Sequence, residues 1–384
     1  MIEANNNQAL SERRSAALTN SMIVANILHR PMRTIVSIVG VAIQITLILL
    51  VVGITTWMRV DAAKRQEGIG ADIMFRPPNS QILWLSGTPM SMGFKELLEG
   101  IDGVKAVAPV LVQTTTTGGL SNVWGIDIKS YSALSGGFDY IKGGPFEKPY
   151  DVIIDRLYAR NQKLDIGDPV NLLNHRFRVC GIVEPGKGAR IFLPIATLQD
   201  LMGAVNKASL FYIKAKDPGK TNELIQRIQA IPELRDYSMV SIKEYLSQLT
   251  NSAIPALDTF INVMIFLACL IGFLVIYLSM YTTITERTRE IGILKSMGAS
   301  KLFIIGGILR EALLLGVIGI FVGLGFTYLS KLIIIATLPT LSVLITARWM
   351  INAGILAIIA ALFGAFYPSL RAASQDPVDA LSYE

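Results

Sequence analysis

Four long apolar runs, at about 34–58, 258–283, 312–336 and 350–367, stand apart from a chain whose other stretches mix or alternate polar and apolar residues. Crossing a hydrocarbon core of roughly 30 Å takes about 20 predominantly apolar residues, so each run predicts a transmembrane helix. Arg33 and Arg59 bracket the first, which holds only Gln44 and small polar residues inside it. Its length exceeds a signal-peptide core and no small-residue cleavage site follows before Arg59, so it is expected to stay as a helix. Basic residues of the short segments (Arg13, Arg14, Arg30 and Arg33, then Arg287, Arg289, Lys295 and Lys301, then Arg371) fall on one side. The positive-inside rule puts those segments and both termini in the cytoplasm, leaving 59–255 and the 337–349 loop outside.

The outside segment has a different rhythm. A strand at 71–76, a helix at 93–99 and a strand at 104–113 are mirrored by 208–216, 221–231 and 237–242. Between the two halves lies a β-rich insertion with strands near 122–127, 151–155, 169–173, 176–183 and 190–193, turned at Gly167-Asp168 and Pro185-Gly186. The expected fold is an α+β membrane protein of four transmembrane helices, with a large extracytoplasmic mixed α/β domain between the first and second. The boundaries run 1–33 (cytoplasmic amphipathic segment), 34–58, 59–255, 256–283, 284–311 (cytoplasmic), 312–336, 337–349, 350–367 and 368–384 (cytoplasmic tail).

A short charged amphipathic segment at 284–301 separates the second and third spans. Ile284, Ile291, Leu294 and Met297 fall on one helical stripe, while Glu286, Arg287, Arg289 and Glu290 occupy much of the rest. Gly298 suits a left-handed helix end and Ser300 the start of the next helix. By helix and charge pattern alone this is equally a solvated turn or a docking surface.

The pattern E-R-x-x-E-I-G-I-L-K-x-x-G-A at 286–299 resembles the segment after the second span of the MacB/FtsX-like permeases, the mechanotransmission or type VII class of ABC transporters. Asn26-Ile27-Leu28-His29-Arg30-Pro31-Met32-Arg33-Thr34, with Ser37 and Gly40, is similar to that family's approach to its first span. Tyr367-Pro368-Ser369-Leu370-Arg371-Ala372-Ala373, followed by Asp376-Pro377-Val378-Asp379-Ala380-Leu381, is similar to its closing signature. The resemblance implies that 284–301 is a coupling helix in the groove of a cytoplasmic ABC ATPase. Its coupling residues would be Glu286, Arg287, Arg289, Glu290, Ile291, Leu294, Lys295 and Met297, with Glu290 the leading polar contact and Ile291 and Leu294 the anchors. It further implies a split β-α-β porter subdomain with a β subdomain inserted, and a homodimer or heterodimer in a bacterial inner membrane. ATP and Mg would be bound by the partner ATPase and none by this chain, with a periplasmic adaptor or outer-membrane component as a further candidate partner. The implied work is export or extraction of a lipid, lipoprotein, peptide or hydrophobic compound. FtsX-like signalling to a cell-wall hydrolase is the alternative, and an ATPase-independent receptor or scaffold is a second.

Composition agrees with a chain partly in lipid and partly in water, at 52% hydrophobic residues and a mean hydropathy of +0.48. The net charge of +6 is divided by the bilayer, and no nucleic-acid motif accompanies it. Cys180 is expected outside and Cys269 mid-span, so they cannot pair within one chain. His29 and His175 fall on opposite sides, which leaves no metal site and no histidine-based catalytic residues to assemble. Asp217-Pro218-Gly219-Lys220-Thr221 follows a strand and precedes a helix as a phosphate loop does, but position 214, where that loop needs glycine, is Lys214. A Pro-Gly turn is the expected reading. The apolar stretch around Trp84 and Leu85, with Met90 and Met92, either contacts a lipid-like cargo or partner, or packs under its own domain or across a dimer. In the third span, Gly316, Gly319 and Gly323 include a small-xxx-small motif for close helix packing, within one protomer or between two. Arg310 and Glu311 are expected at the membrane interface, at the end of a shallow helix.

Overall fold

A computed structural model describes residues 31–78, 89–115, 121–250 and 255–376, without the side chains of 248–250, 255 and 256. Residues 1–30 of the amphipathic segment expected at 1–33, and the candidate contacts Trp84 and Leu85, lie outside the described residues. Among the described residues, four helices are long and apolar enough to cross a membrane, Pro31–Glu67, Leu257–Glu286, Lys301–Thr337 and Ala347–Ser374. The described chain divides into a helical unit (31–55, 256–333 and 343–376) and an α/β unit (56–255 and 334–342).

The strands of the α/β unit are β1 (Ile73–Arg76), β2 (Met90–Ser91), β3 (Val104–Thr115), β4 (Ser121–Ile126), β5 (Tyr140–Gly143), β6 (Asp151–Asp155), β7 (Pro169–Leu172), β8 (His175–Val183), β9 (Ile191–Pro194), β10 (Lys207–Ala208), β11 (Leu210–Ala215) and β12 (Ser238–Ser241). They form one sheet in the order β12-β1-β11-β3-β4-β9-β6-β8-β5, with β7 added on β8 and β2 paired apart with β10. The two sequence halves interleave. β1 and β3 belong to the first half, β11 and β12 to the second, and β11 sits between β1 and β3 in antiparallel register. The helices Gly93–Glu99 and Thr221–Gln229 put Leu98, Leu224 and Ile228 into a core with Ile73, Phe75, Phe211 and Ile213. Phe75, Phe94 and Tyr237 close it as a ring cluster with centroids 5.0–5.8 Å apart, each pair contributing about 0.5–1.5 kcal/mol beyond area burial.

The insertion extends the same sheet. β3 is long enough to serve both parts, because Leu210–Ala215 pairs along Val104–Val110 and β4 pairs along Val110–Thr115. A second core gathers Val123, Val152, Ile154, Tyr158, Phe177 and Ile191. Met90, a candidate cargo contact in the sequence, is buried in the first core, and Met92 packs against the same cluster. Met90 pairs with Ala208, and of the two readings open in the sequence both methionines follow packing under their own domain. Asp217 accepts from the Gly219 amide at 2.9 Å to cap a short 3-10 turn at Pro218–Lys220.

A charge cluster lies within this unit. Gly188 holds φ at +84°, and a Cβ there would come within 2.3 Å of the Trp124 ring, so glycine alone fits the turn that delivers Arg190. The Arg190 guanidinium donates to Asp155 at 3.0 Å and to Asp61 at 2.9 Å, and Asp61 also pairs with Arg65 at 3.1 Å. Asp155 doubles as the N-cap of the helix Arg156–Gln162, accepting from the Tyr158 amide at 2.6 Å.

Cys180 lies in β8 with its thiol donating to the Val152 carbonyl at 3.4 Å. Burial, followed by the nearby Asp151 charge, pushes the thiol up to about 12. Alkylation of Cys180 at pH 8, followed by peptide mass spectrometry, is expected to run at least about tenfold slower in the folded protein than in the unfolded chain. Equal rates would rule out the half-buried placement of the thiol.

The helical unit is built from α1 (Pro31–Glu67), α2 (Pro255–Glu286), α3 (Thr288–Ser296), α4 (Lys301–Thr337) and α5 (Ala347–Ser374). Val41, Ile45, Ile48 and Leu49 of α1 meet Ala312 and Leu315 of α4 and the alanine row Ala353, Ala357, Ala361 and Ala365 of α5. Small residues set the approach. A Cβ on Gly319 would fall 2.6 Å from Val41 and one on Gly323 2.8 Å from Ile45, so this seam packs α4 on α1 within one protomer. Gly316 faces Ala361 of α5 at 3.6 Å. Gly40 allows α1 to approach Val275 of α2, where Ser37 and Ser279 share a 2.5 Å hydrogen bond. α4 is unbroken from Lys301, so 302–311 forms its first turns and the expected separate shallow helix is absent among the described residues.

Candidate functional site

α2 and α3 are separated by a single irregular residue. Arg287 leaves helical geometry at φ −110° and ψ 15°, while the Thr288 hydroxyl donates back to the Ile284 carbonyl at 3.1 Å and keeps the two helices joined. The far end of α3 is a Schellman cap. Gly298 is left-handed at φ +92°, its amide donates to Lys295 at 3.0 Å, and the Ala299 amide donates to Leu294 at 3.0 Å. The Ser300 hydroxyl then accepts from the Phe303 amide at 3.2 Å and starts α4.

The faces of α3 have separate duties. Its inward side, with Ile284, is held against α4 and α5, since Ile284 and Ile291 are buried with Ile304, Ala372 and Ala373. Lys295 donates to the carbonyls of Ala373 (3.0 Å) and Gln375, satisfying the end of α5 with a positive charge where a helix dipole favours one. Arg287, with its side chain 13% exposed, pairs with Glu311 of α4 at 3.5 Å and with Glu290 at 3.8 Å. Arg33 of α1 joins the same network, 3.6 Å from Glu311 and 3.5 Å from Glu286. Glu311 is thus buried between two arginines, whereas Arg310 points outward. A carboxylate at this depth holds its charge only with such partners.

The outward side carries Arg289, Glu290, Ile293 and Met297. Met297 is 71% and Ile293 43% exposed, and Leu302 and Phe303 at the start of α4 are exposed as well. Among the sequence candidates, Arg289, Glu290 and Met297 share this surface, and Glu286 is half exposed beside it. Arg287, Ile291 and Lys295 are turned inward, and Leu294 is half-buried between the two sides. The expected stripe holds for Ile284 and Ile291, which are buried on one side across the break, and fails at Met297, which lies about 120° round the helix from Ile291. Ile293 was missed, although the four-residue spacing of Arg289, Ile293 and Met297 marks it as the apolar centre of the other face.

Two family models match the chain. Residues 262–377 match the FtsX-like permease C-terminal family, and residues 34–231 match the MacB-like periplasmic core domain. An uncharacterized ABC transporter permease, YknZ of Bacillus subtilis, is 22% identical over 94% of this chain and 98% of its own length. The macrolide export ATP-binding/permease protein MacB of Bdellovibrio bacteriovorus is 27% identical over 244 residues, 58% of this chain. Here the chain spans 37% of the relative's length. Among solved structures, the extracellular domain of the noncanonic ABC-type transporter YknZ from Gram-positive bacteria overlaps 44% of this chain and 98% of that one, at 16% identity and a TM-score of 0.34.

Proposed function

Because the chain belongs to the MacB/FtsX-like ABC transporter permeases, we propose that it is the transmembrane subunit through which a cytoplasmic ABC ATPase drives an extracytoplasmic α/β domain. The observation that carries this reading is the two-sided α3. Its inner side is tied to α4 and α5 by Arg287, Ile291 and Lys295, and Glu311 of α4 is paired in turn with Arg33 of α1, so a partner seated on Arg289, Glu290, Ile293 and Met297 would engage the whole helical unit. ATP and Mg belong to that partner, and the permease works as a pair of like or related chains in a bacterial inner membrane with both termini inside. The orientation follows from the basic short segments. A partner can drive such a unit only if it grips α3 differently in its ATP-bound and free states.

The work delivered is export or extraction of a lipid, lipoprotein, peptide or hydrophobic compound by the external domain. Affinity purification of the intact chain from its native membrane, with protein identification and an ATP hydrolysis assay, tests the reading. An ABC ATPase whose turnover depends on the permease is the expected product. A monodisperse permease recovered without any ATPase would leave a receptor or scaffold as the remaining explanation.

A further inference from the structure

A cavity of about 190 Å³ opens between the ends of α2 and α5 that lie nearest α3, lined by Tyr281, Ile284, Thr285, Thr288, Pro368, Arg371 and Gln375. The two helices approach closely at Gly364, where a Cβ would stand 2.8 Å from the Phe273 carbonyl. One turn further along α5 comes Pro368, on the cavity wall. Arg371 is the one formally charged side chain among the lining residues. Its guanidinium is fixed rather than free, donating to the Tyr281 hydroxyl at 3.0 Å and lying 5.4 Å from the centre of that ring. The buried Oε1 of Gln375 accepts no hydrogen bond among the described residues, although the Gln375 main-chain carbonyl is taken by Lys295. A roomy, partly polar pocket whose formal charge is positive calls for an anionic ligand.

Position separates the sources of such a ligand. The pocket sits at the level of the charged ends of the spans, marked by Arg33, Glu286, Arg287 and Arg371. From it an aromatic surface leads along the outside of the helices towards the apolar midplane. Tyr281 stacks on Tyr277 at 6.3 Å, Tyr277 meets Tyr367 at 6.2 Å, and Tyr367, Phe366 and Phe363 are exposed. Tyrosines at this depth mark the lipid headgroup layer, and a basic pocket between spans there suits a phospholipid headgroup. A free phosphate would make no use of the aromatic track. We propose that this pocket binds the headgroup of an anionic glycerophospholipid, with its phosphate on Arg371 and an acyl chain along Tyr281, Tyr277 and Tyr367. The assignment is independent of the ATPase-coupling reading, because it needs only the end of the spans and not the side of the membrane.

The test is native mass spectrometry of the full-length protein, delipidated in detergent and titrated with dioleoyl phosphatidylglycerol, dioleoyl phosphatidylcholine or inorganic phosphate. One phosphatidylglycerol is expected to stay bound per chain in preference to phosphatidylcholine. Arg371→Ala should lower that retention about tenfold or more, the scale of a lost charge-assisted hydrogen bond. Thr285→Trp, which fills the mouth but keeps Arg371, should lower it as well, and guards against a folding defect in the first variant. Equal retention of the two lipids, or wild-type retention in both variants, overturns the site. Displacement of phosphatidylglycerol by millimolar inorganic phosphate would assign the pocket to free phosphate and overturn the lipid.

Discussion

Aspartate at Ile293 or Met297 is expected to abolish ATPase binding while leaving a folded permease in the membrane. Both side chains sit on the outward face of α3, 43% and 71% exposed, and make no part of the cluster that holds α3 to its neighbours. A charge there costs the permease little. At the centre of a protein interface, by contrast, loss of an apolar anchor typically costs about 2–4 kcal/mol, or roughly 30- to 1000-fold in affinity. The matched control is Ile291→Asp. Ile291 is 8% exposed and packed on Ala372 and Ala373, so that variant should lower the amount and thermal stability of the permease itself. Pull-down of the ATPase with each variant, beside size-exclusion profiles of the permease, separates the two faces. Wild-type recovery of the ATPase with both Ile293→Asp and Met297→Asp would remove α3 as the docking surface.

Arg190→Met is expected to be the most destabilising single change in the α/β unit. Arg190 is the counter-charge of Asp155, whose side chain is 1% exposed, and of Asp61 at 19%. Removing one partner of a buried pair strands the other, at a cost of about 3–5 kcal/mol. For a unit of this size that corresponds to a fall in the thermal midpoint of about 6–20 °C. Adding Asp155→Asn to Arg190→Met should recover part of the loss, because the stranded charge is gone. The carboxamide oxygen of the replacement would still accept from the Tyr158 amide, as the Asp155 carboxylate now does at 2.6 Å. Thermal unfolding of the purified protein reads both. A midpoint within about 2 °C of wild type for Arg190→Met would mean that water, not Arg190, neutralises Asp155.

The spans were legible because an apolar run of membrane length keeps its meaning whatever packs against it. Their ends were not. α1 runs on through Arg59, Asp61, Lys64 and Arg65 to Glu67, and α4 begins at Lys301, because hydropathy reports depth in the bilayer whereas a helix follows its hydrogen-bond ladder. The two halves of the α/β unit were readable from matched strand-helix-strand patterns, which β1, β3, β11 and β12 fulfil, but their interleaving in the sheet was not. The two-turn helices Ile128–Ser135, Arg156–Gln162 and Ile195–Leu201 escaped notice. They are too short for periodicity to register, and two of them start on caps, Asp127 and Asp155, that also read as turn residues. For the candidate site, the segment was found from its own residues, but its inside and outside were not. Which face is buried depends on Ala372, Ala373 and Glu311, far along the chain, and no local pattern encodes them.

The ties on the inner side of α3 also have a mechanical meaning. Arg287 reaches Glu311, Ile291 seats on Ala372 and Ala373, and Lys295 grips the carbonyl end of α5. Three attachments within little more than two turns rivet the segment instead of hinging it. A load applied to the outer side is passed on without being spent in local bending, so the elastic give of the molecule has to be sought elsewhere. A spring constant measured by pulling on α3 would report the stiffness of the whole bundle.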